Sequence, residues 1–192
     1  MTETATYSKN DVFYTCSLIE YIGRVTRNHR KDVVSALGTN GVKAILDSAD
    51  VFHCQSFEQS ADEICELFPV PEGTYDTVSN CHYKVPSYTD IGKVYQRIIF
   101  DCTSTPGVQD VIDVFSSFIS DDISDFNTAT YYCNPSYLYP LIQGRKTTGL
   151  IFKSNSNRDH YPKKGGGLIF FLHITYHKLP ERKTLCICAN CI

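Results

Sequence analysis

The sequence lacks any run of about 18 consecutive apolar residues, which is the length that a membrane-spanning helix requires. Its first residues, MTETATYSKNDVFY, carry no basic stretch followed by an apolar core, so a signal peptide is not expected there. The chain also has no G-x-S-x-G, P-loop, G-x-G-x-x-G or H-E-x-x-H motif, and so lacks the signatures of several common enzyme classes. We therefore expect a cytoplasmic protein that neither crosses a membrane nor catalyses a reaction, and that needs no cofactor.

Basic residues are scarce in the first part of the chain. Of its 192 residues, 42% are hydrophobic and 20% are charged, a composition typical of a globular protein. Residues 1–140 carry 19 acidic and 9 basic side chains, whereas residues 141–192 carry 9 basic and 2 acidic side chains. The acidic excess disfavours nucleic-acid binding by the first part, because attraction to phosphate supplies much of such affinity.

Capping residues and apolar periodicity predict helices throughout this acidic part. Ser8 is placed to cap a helix that ends near Thr26. Gly38 follows a short apolar-periodic stretch and is expected to end its helix. Ser56 and Gln59 have the spacing of a capping box, which predicts another helix after them.

The two most regular apolar stripes follow further along the chain. Thr89 is the expected cap of the first helix, and Thr105 with Pro106 just inside is the expected start of the second. The stripe residues are Ile91, Val94, Tyr95, Ile98, Ile99 and Cys102 in the first helix, and Val108, Val111, Ile112, Phe115, Phe118 and Ile119 in the second. The predicted fold is mainly α, a bundle of about five to seven helices.

The pattern changes at Pro140, which falls inside a helix expected to start at Asn134 and Pro135. The residues that follow are basic and loop-like, and they include the β-favouring run LIFFLHITYH. We therefore predict an acidic helical domain over residues 1–139 and a basic tail over residues 140–192. Three interpretations of the tail stay open: a small β appendage, a poorly ordered segment, or an extension, such as a shifted reading frame or read-through, that was never selected to fold with the domain.

The tail contains the residue types of a zinc site: His173, His177, Cys186, Cys188 and Cys191. The surrounding residues favour a strand, which would separate the two histidine attachment points by about 13 Å. One zinc ion, with ligands at about 2.0–2.3 Å, does not easily hold both rings. The cysteine run also lacks a second C-x-x-C pair. We therefore predict no bound metal, and keep a metal-binding or thiol-redox function of these five residues as the alternative.

Other candidate sites in the acidic part are weaker. We interpret six scattered cysteines as small buried apolar side chains in a reducing compartment: Cys16, Cys54, Cys65, Cys81, Cys102 and Cys133. The adjacent pairs His53–Cys54 and Cys81–His82 suggest a cysteine hydrolase as a third hypothesis, although adjacency in sequence does not bring a base to a nucleophile. The acids Asp121, Asp122 and Asp125 lack the spacing of a calcium loop and are interpreted as a solvated helix end.

Tyrosines with charged neighbours are the remaining candidates for a binding surface. They are concentrated in CHYKVPSYTDIGKVYQR and TYYCNPSYLY, and tyrosine and arginine are favoured anchors of protein interfaces. The predicted partner-binding residues are Tyr83, Tyr88, Asp90, Lys93, Arg97, Tyr131 and Tyr132. In the other interpretation, the tyrosines of these stretches, including Tyr95, Tyr137 and Tyr139, only cover the helical core with their hydroxyl groups in water.

Four segments carry a resemblance to known proteins: FYTCSLIEYIGRVTRNHRKDVVSAL, GVKAILDSADVFHC, SADEI and SYTDIGKVYQRII. They resemble small uncharacterised bacterial helical proteins that are often encoded beside ADP-ribosyltransferase-like toxins. The resemblance covers about residues 11–139 and brings no catalytic residues with it. It implies a cytosolic accessory or antitoxin-like protein that acts by binding a protein partner.

Overall fold

The computed structural model describes residues 6–128, 130–132 and 138, all within one compact unit that spans residues 1–150. Its described part contains seven α-helices and no β-strand, which confirms the predicted mainly α bundle. The helices are α1 (Lys9–Val25), α2 (Arg30–Asp47), α3 (Ala49–Phe52), α4 (Phe57–Leu67), α5 (Tyr88–Cys102), α6 (Val108–Ser116) and α7 (Ile119–Ser124), followed by a 3-10 turn at Thr130–Tyr132. None of these helices is both long enough and apolar enough to cross a membrane. The boundary predicted after residue 139, and the tail itself, lie outside the described residues.

α1 is the central helix of the bundle. Ser8 caps it as predicted, because its hydroxyl accepts a hydrogen bond from the Asp11 amide and the Asp11 carboxylate accepts one from the Ser8 amide. Residues 14–20 are all buried, since α1 packs against α2, α3, α4 and α5. Polar residues of this helix, such as Ser17 and Glu20, are therefore enclosed together with its apolar ones.

The closest approach of two helices is between Ser17 on α1 and Gly92 on α5. The helices are antiparallel, since Tyr21 contacts Tyr88 at one end of the pair and Lys9 lies over the Phe100 ring at the other. A Cβ atom added to Gly92 would lie 2.1 Å from the Ser17 hydroxyl oxygen and 2.8 Å from the Ser17 Cα atom. The missing side chain at residue 92 therefore sets the distance between α1 and α5.

Replacing Gly92 with alanine is expected to lower the free energy of unfolding by about 1–3 kcal/mol, because the two helices must separate to admit one methyl group. Urea unfolding followed by circular dichroism measures the change. The matched control is Lys93→Ala, an exposed neighbour on the same helix, which should change stability by less than about 0.5 kcal/mol. Wild-type stability in the Gly92 variant would mean that α1 and α5 can separate at this contact without a loss of stability.

The other helices complete one core. α6 packs against both α2 and α5, and Phe115 on α6 stacks on Tyr95 of α5 with ring centroids 4.0 Å apart and an interplanar angle of 22°. Both rings are fully buried, as is Ile98. The two apolar stripes predicted from the sequence thus face into the same core. α2 turns within its length at Gly38, whose φ of 61° is one that glycine adopts readily.

Two predicted helix starts are wrong. Ser87, not Thr89, caps α5, because Ser87 has an extended backbone and its hydroxyl accepts the hydrogen bond from the Asp90 amide. The next helix begins after Gly107 rather than at Thr105 and Pro106. In both cases the residue with the extended backbone, Ser87 or Gly107, is the N-cap.

The second predicted stripe is not one helix. α6 ends at Ser116, Ser117 is extended (φ −76°, ψ 161°), and α7 starts two residues later. The Ser117 hydroxyl donates a 2.6 Å hydrogen bond to the Val114 carbonyl, a local bond that competes with continuation of the helix. Phe115 before the break and Ile119 after it are both buried.

The interpretation of the scattered cysteines as buried apolar side chains is right for one of them and wrong for another. Cys16 is fully buried in α1, whereas Cys54 is exposed. Cys65, Cys81 and Cys102 are half-buried. Cys133 lies outside the described residues.

Candidate partner-binding site

The predicted partner-binding residues before and along α5 lie at the surface. Tyr83, in the loop that precedes α5, is 69% exposed. Asp90, Lys93 and Arg97 are exposed, and their spacing places them on one side of α5. Asp90 is also part of the helix cap, since its carboxylate accepts a 2.7 Å hydrogen bond from the Ser87 hydroxyl. This side of α5 therefore presents one acidic and two basic side chains to solvent.

Tyr88 belongs to a cluster of three half-buried rings, the aromatic patch, formed by Tyr21, Phe57 and Tyr88. The ring centroids of Phe57 and Tyr88 are 4.7 Å apart, those of Tyr21 and Tyr88 are 5.3 Å apart, and those of Tyr21 and Phe57 are 6.1 Å apart. Phe57 also stacks on the buried ring of Tyr14 at 4.9 Å. The aromatic patch therefore packs against the core through the contact of Phe57 with Tyr14.

Sequence reasoning selected Tyr88 but missed Tyr21 and Phe57. The three rings come from α5, α1 and α4, so no spacing within the chain relates them. The only indications in the sequence that these two rings lie near the core surface were the position of Tyr21 next to the apolar face of α1 and that of Phe57 directly after the predicted cap Ser56.

α4 places negative charge beside the aromatic patch. It carries four exposed acidic residues and no basic one: Glu58, Asp62, Glu63 and Glu66. Partial burial, followed by the charges of Glu58 and Asp62, raises the pKa of the Tyr21 hydroxyl above its ordinary value. The wider segment over residues 44–83 contains eight acidic residues and neither lysine nor arginine. The potential around the patch is therefore negative.

The loop before α5 is anchored at both ends. At its start, the Gly73 amide donates to the Thr26 carbonyl (2.8 Å) and the Tyr75 amide donates to the Arg27 carbonyl (2.7 Å). Near its end, Arg24 Nη1 donates to the Pro86 carbonyl at 2.9 Å. The backbone that carries Tyr83 is thus held to the α1–α2 turn on one side and to α1 on the other.

A buried ion-pair network places Arg24 for this contact. Glu20 and Arg30 are both fully buried, and Arg30 donates to the two Glu20 oxygens from Nε (2.7 Å) and Nη2 (2.8 Å). Arg24 Nε donates to Glu20 Oε1 at 2.7 Å. Burial by itself lowers the pKa of Arg30, but the charge and hydrogen bonds of Glu20 outweigh it, and the net effect is a raised pKa. Gly23 makes room for the Arg30 side chain, since a Cβ there would lie 2.7 Å from Arg30 Cδ.

Of the three acids interpreted as a solvated helix end, Asp122 and Asp125 are exposed, but Asp121 bonds to two side chains of another part of the bundle. Asp121 Oδ1 lies 2.7 Å from His29 Nδ1, and Asp121 Oδ2 accepts a 3.1 Å hydrogen bond from Lys31. Burial raises the pKa of Asp121, but the bonds from His29 and Lys31 outweigh it and lower the pKa overall. The His29 ring stacks on Tyr75 with centroids 3.6 Å apart. Asp121 therefore ties α7 to the α1–α2 turn, which corrects the interpretation from sequence.

The remaining tyrosine candidates differ in position. Tyr95 is fully buried, and its hydroxyl lies 3.0 Å from the Ser120 hydroxyl, so it belongs to the core and not to a binding surface. Burial raises the pKa of Tyr95 above its ordinary value. Tyr131 is half-buried against the core, and Tyr132 follows it in the 3-10 turn. Tyr137 and Tyr139 lie outside the described residues.

The Cys81 thiol contacts backbone groups of the protein. Its sulfur lies 3.2 Å from the Tyr83 carbonyl oxygen and 3.9 Å from the Phe126 carbonyl oxygen, so the thiol is directed at backbone rather than at His82. The His82 amide donates to the Asn127 side chain (2.8 Å), which fixes the same loop. Within residues 6–128 and 130–132, no three histidine, cysteine or acidic side chains are grouped in a way that could hold a metal ion.

The tail candidates His173, His177, Cys186, Cys188 and Cys191 lie outside the described residues, so the metal or thiol alternative stays a prediction. Comparison with family models, curated proteins and solved structures finds no match to the chain. The function of the described residues is therefore inferred from their own geometry and charge.

Proposed function

We propose that the helical domain is a non-enzymatic interaction module that binds a protein partner in the cytoplasm. The resemblance stated above extends this to an antitoxin-like or accessory role toward the product of a neighbouring gene. The observation that supports binding most directly is Tyr83, which is 69% exposed on a loop that is anchored at both ends. An aromatic side chain on a fixed backbone loses little conformational freedom when a partner covers it.

The surroundings of Tyr83 fit a protein partner better than a nucleic acid. Lys93 and Arg97 are the exposed cations along α5, while α4 presents four carboxylates. Aromatic rings surrounded by a polar, solvent-accessible rim are typical of a protein interface. Phosphate backbones would instead be repelled by the segment over residues 44–83.

Co-expression of the tagged full chain with the neighbouring gene product tests the proposal. We expect the two proteins to elute together in size-exclusion chromatography, and Tyr83→Ala to weaken the complex by about tenfold or more, as for an interface anchor. Isothermal titration calorimetry measures the loss of affinity.

The matched control is Val51→Ala. Val51 is 64% exposed on α3, so this substitution removes a similarly exposed apolar side chain from a helix that does not belong to the proposed surface. Its complex should keep wild-type affinity. No complex with the neighbouring gene product, or an equal loss in both variants, would contradict the proposal that Tyr83 anchors this partner.

A further inference from the structure

We propose that the aromatic patch receives an arginine-containing segment of the partner, with a guanidinium group over the rings of Tyr21 and Tyr88 and close to the carboxylates of Glu58 and Asp62. This inference rests on the proposed binding function and adds the chemistry of the partner. It places that contact on the α4 side of Tyr88, away from the exposed cations of α5.

The aromatic patch offers ring surface for a cation. Its three rings contact one another at centroid distances of 4.7 to 6.1 Å, and each is only half-buried. Val25 lies one helical turn after Tyr21 on α1 and is 61% exposed, so apolar surface continues beside the rings. A guanidinium group stacks on such rings while the carbon chain of arginine covers apolar neighbours.

Within the described part of the chain, other rings receive a cation from the protein itself, and the aromatic patch does not. Arg24 lies over the Phe126 ring at 4.9 Å, and Lys9 lies over the Phe100 ring at 5.6 Å. No lysine or arginine occurs between Lys43 and Lys84, so α3 and α4 bring none to the patch. A partner would therefore supply the cation at the aromatic patch, as Arg24 and Lys9 do at the rings of Phe126 and Phe100.

The carboxylates of α4 are a second and independent feature that favours a cation. Glu58, Asp62 and Glu66 follow one another at i, i+4 spacing on one side of the helix, which is a repulsive arrangement of like charges. All three are exposed, and after partial burial the charges of Glu58 and Asp62 help to raise the pKa of the Tyr21 hydroxyl. A bound guanidinium group would relieve this repulsion and could pair with a carboxylate in a bidentate manner.

A synthetic peptide of alternating arginine, alanine and leucine is a suitable probe, compared with the same peptide in which citrulline replaces arginine. Fluorescence anisotropy with the full chain at low salt should give saturable binding of the arginine peptide and at least about tenfold weaker binding of the citrulline peptide. The paired substitution Glu58→Gln with Asp62→Asn should weaken binding of the arginine peptide about tenfold. Tyr88→Ala should weaken it severalfold, because ring surface is lost without any change of charge.

The matched control is Asp32→Asn with Asp101→Asn, which changes net charge equally at exposed positions on α2 and at the end of α5. This variant should bind the arginine peptide within about twofold of wild type. An equal loss in both paired variants would mean that only overall charge attracts the peptide, and would overturn the proposal. Self-association of the chain that the Glu58 and Asp62 substitutions abolish would identify a second copy as the occupant, and would also overturn it.

The two proposals fail in different ways. If the complex with the neighbouring gene product forms and is unaffected by Glu58→Gln with Asp62→Asn, the interaction module stands and the arginine site is wrong. If the arginine peptide binds as expected but no such complex forms, the site stands and the partner is a protein other than the neighbouring gene product.

Discussion

Glu20→Ala is expected to lower the free energy of unfolding by about 3–5 kcal/mol, because it leaves the buried guanidinium group of Arg30 without its counter-charge. Both side chains are fully buried, and two of the Arg30 hydrogen bonds end on Glu20. Arg24 loses its hydrogen bond to Glu20 in the same variant. Chemical unfolding of the full chain, followed by circular dichroism, measures the change.

Two further variants separate the effect of charge from that of volume. Glu20→Gln keeps the size of the side chain but not its charge, so it should also be strongly destabilising. Replacing Glu20 and Arg30 together by methionine removes the unpaired charge, and should recover much of the stability that Glu20→Ala loses. The exposed ion pair of Lys43 and Asp47 is the control, since Lys43→Ala should change stability far less than Glu20→Ala. Wild-type stability of Glu20→Gln would contradict an electrostatic role for the pair.

Phe115→Ala is expected to destabilise the domain by a comparable amount, about 3–5 kcal/mol. The ring is fully buried on α6 and stacks on Tyr95, with ring centroids 4.0 Å apart. α6 packs against both α2 and α5. Its removal leaves a cavity between these helices, which the rigid surroundings fill only in part. Thermal or urea unfolding gives the difference directly.

The control for this substitution is Phe100→Ala. Phe100 lies on α5 but is only half-buried, so the same loss of a ring should have a clearly smaller effect. Equal and small effects of the two substitutions would show that the face of α6 that carries Phe115 contributes little to the core.

The tyrosines illustrate what an apolar or aromatic pattern leaves open. Tyr83, Tyr88 and Tyr95 occur within one short stretch and were grouped together from sequence. The structure places the first in solvent, the second in the aromatic patch and the third in the core. Position along a helix predicted the burial of Tyr95, which lies in the stripe with Ile91 and Ile98. The partners of Tyr88 could not be predicted, because they belong to two other helices.

The sequence by itself determined the features that depend on residues close together in the chain. The caps at Ser8 and Ser56, the turn at Gly38 and the apolar faces of α5 and α6 were all predictable, since hydrogen bonds of a cap join residues three positions apart and a buried face repeats with each helical turn. These local signals were sufficient for a mainly α bundle. They did not decide the exact start of α5, which Ser87 and not Thr89 caps.

Only the tertiary structure decided the features that join distant residues. Gly92 meets Ser17 on another helix, and His29 meets Asp121 across 92 residues of chain. The ion pair of Glu20 and Arg30 spans the α1–α2 turn. The sequence around a charged residue does not indicate whether its side chain is exposed to solvent or buried in an ion pair. These contacts, and with them the aromatic patch, arise because packing brings several helices to one place, and no periodicity within a single helix encodes which side chains then meet.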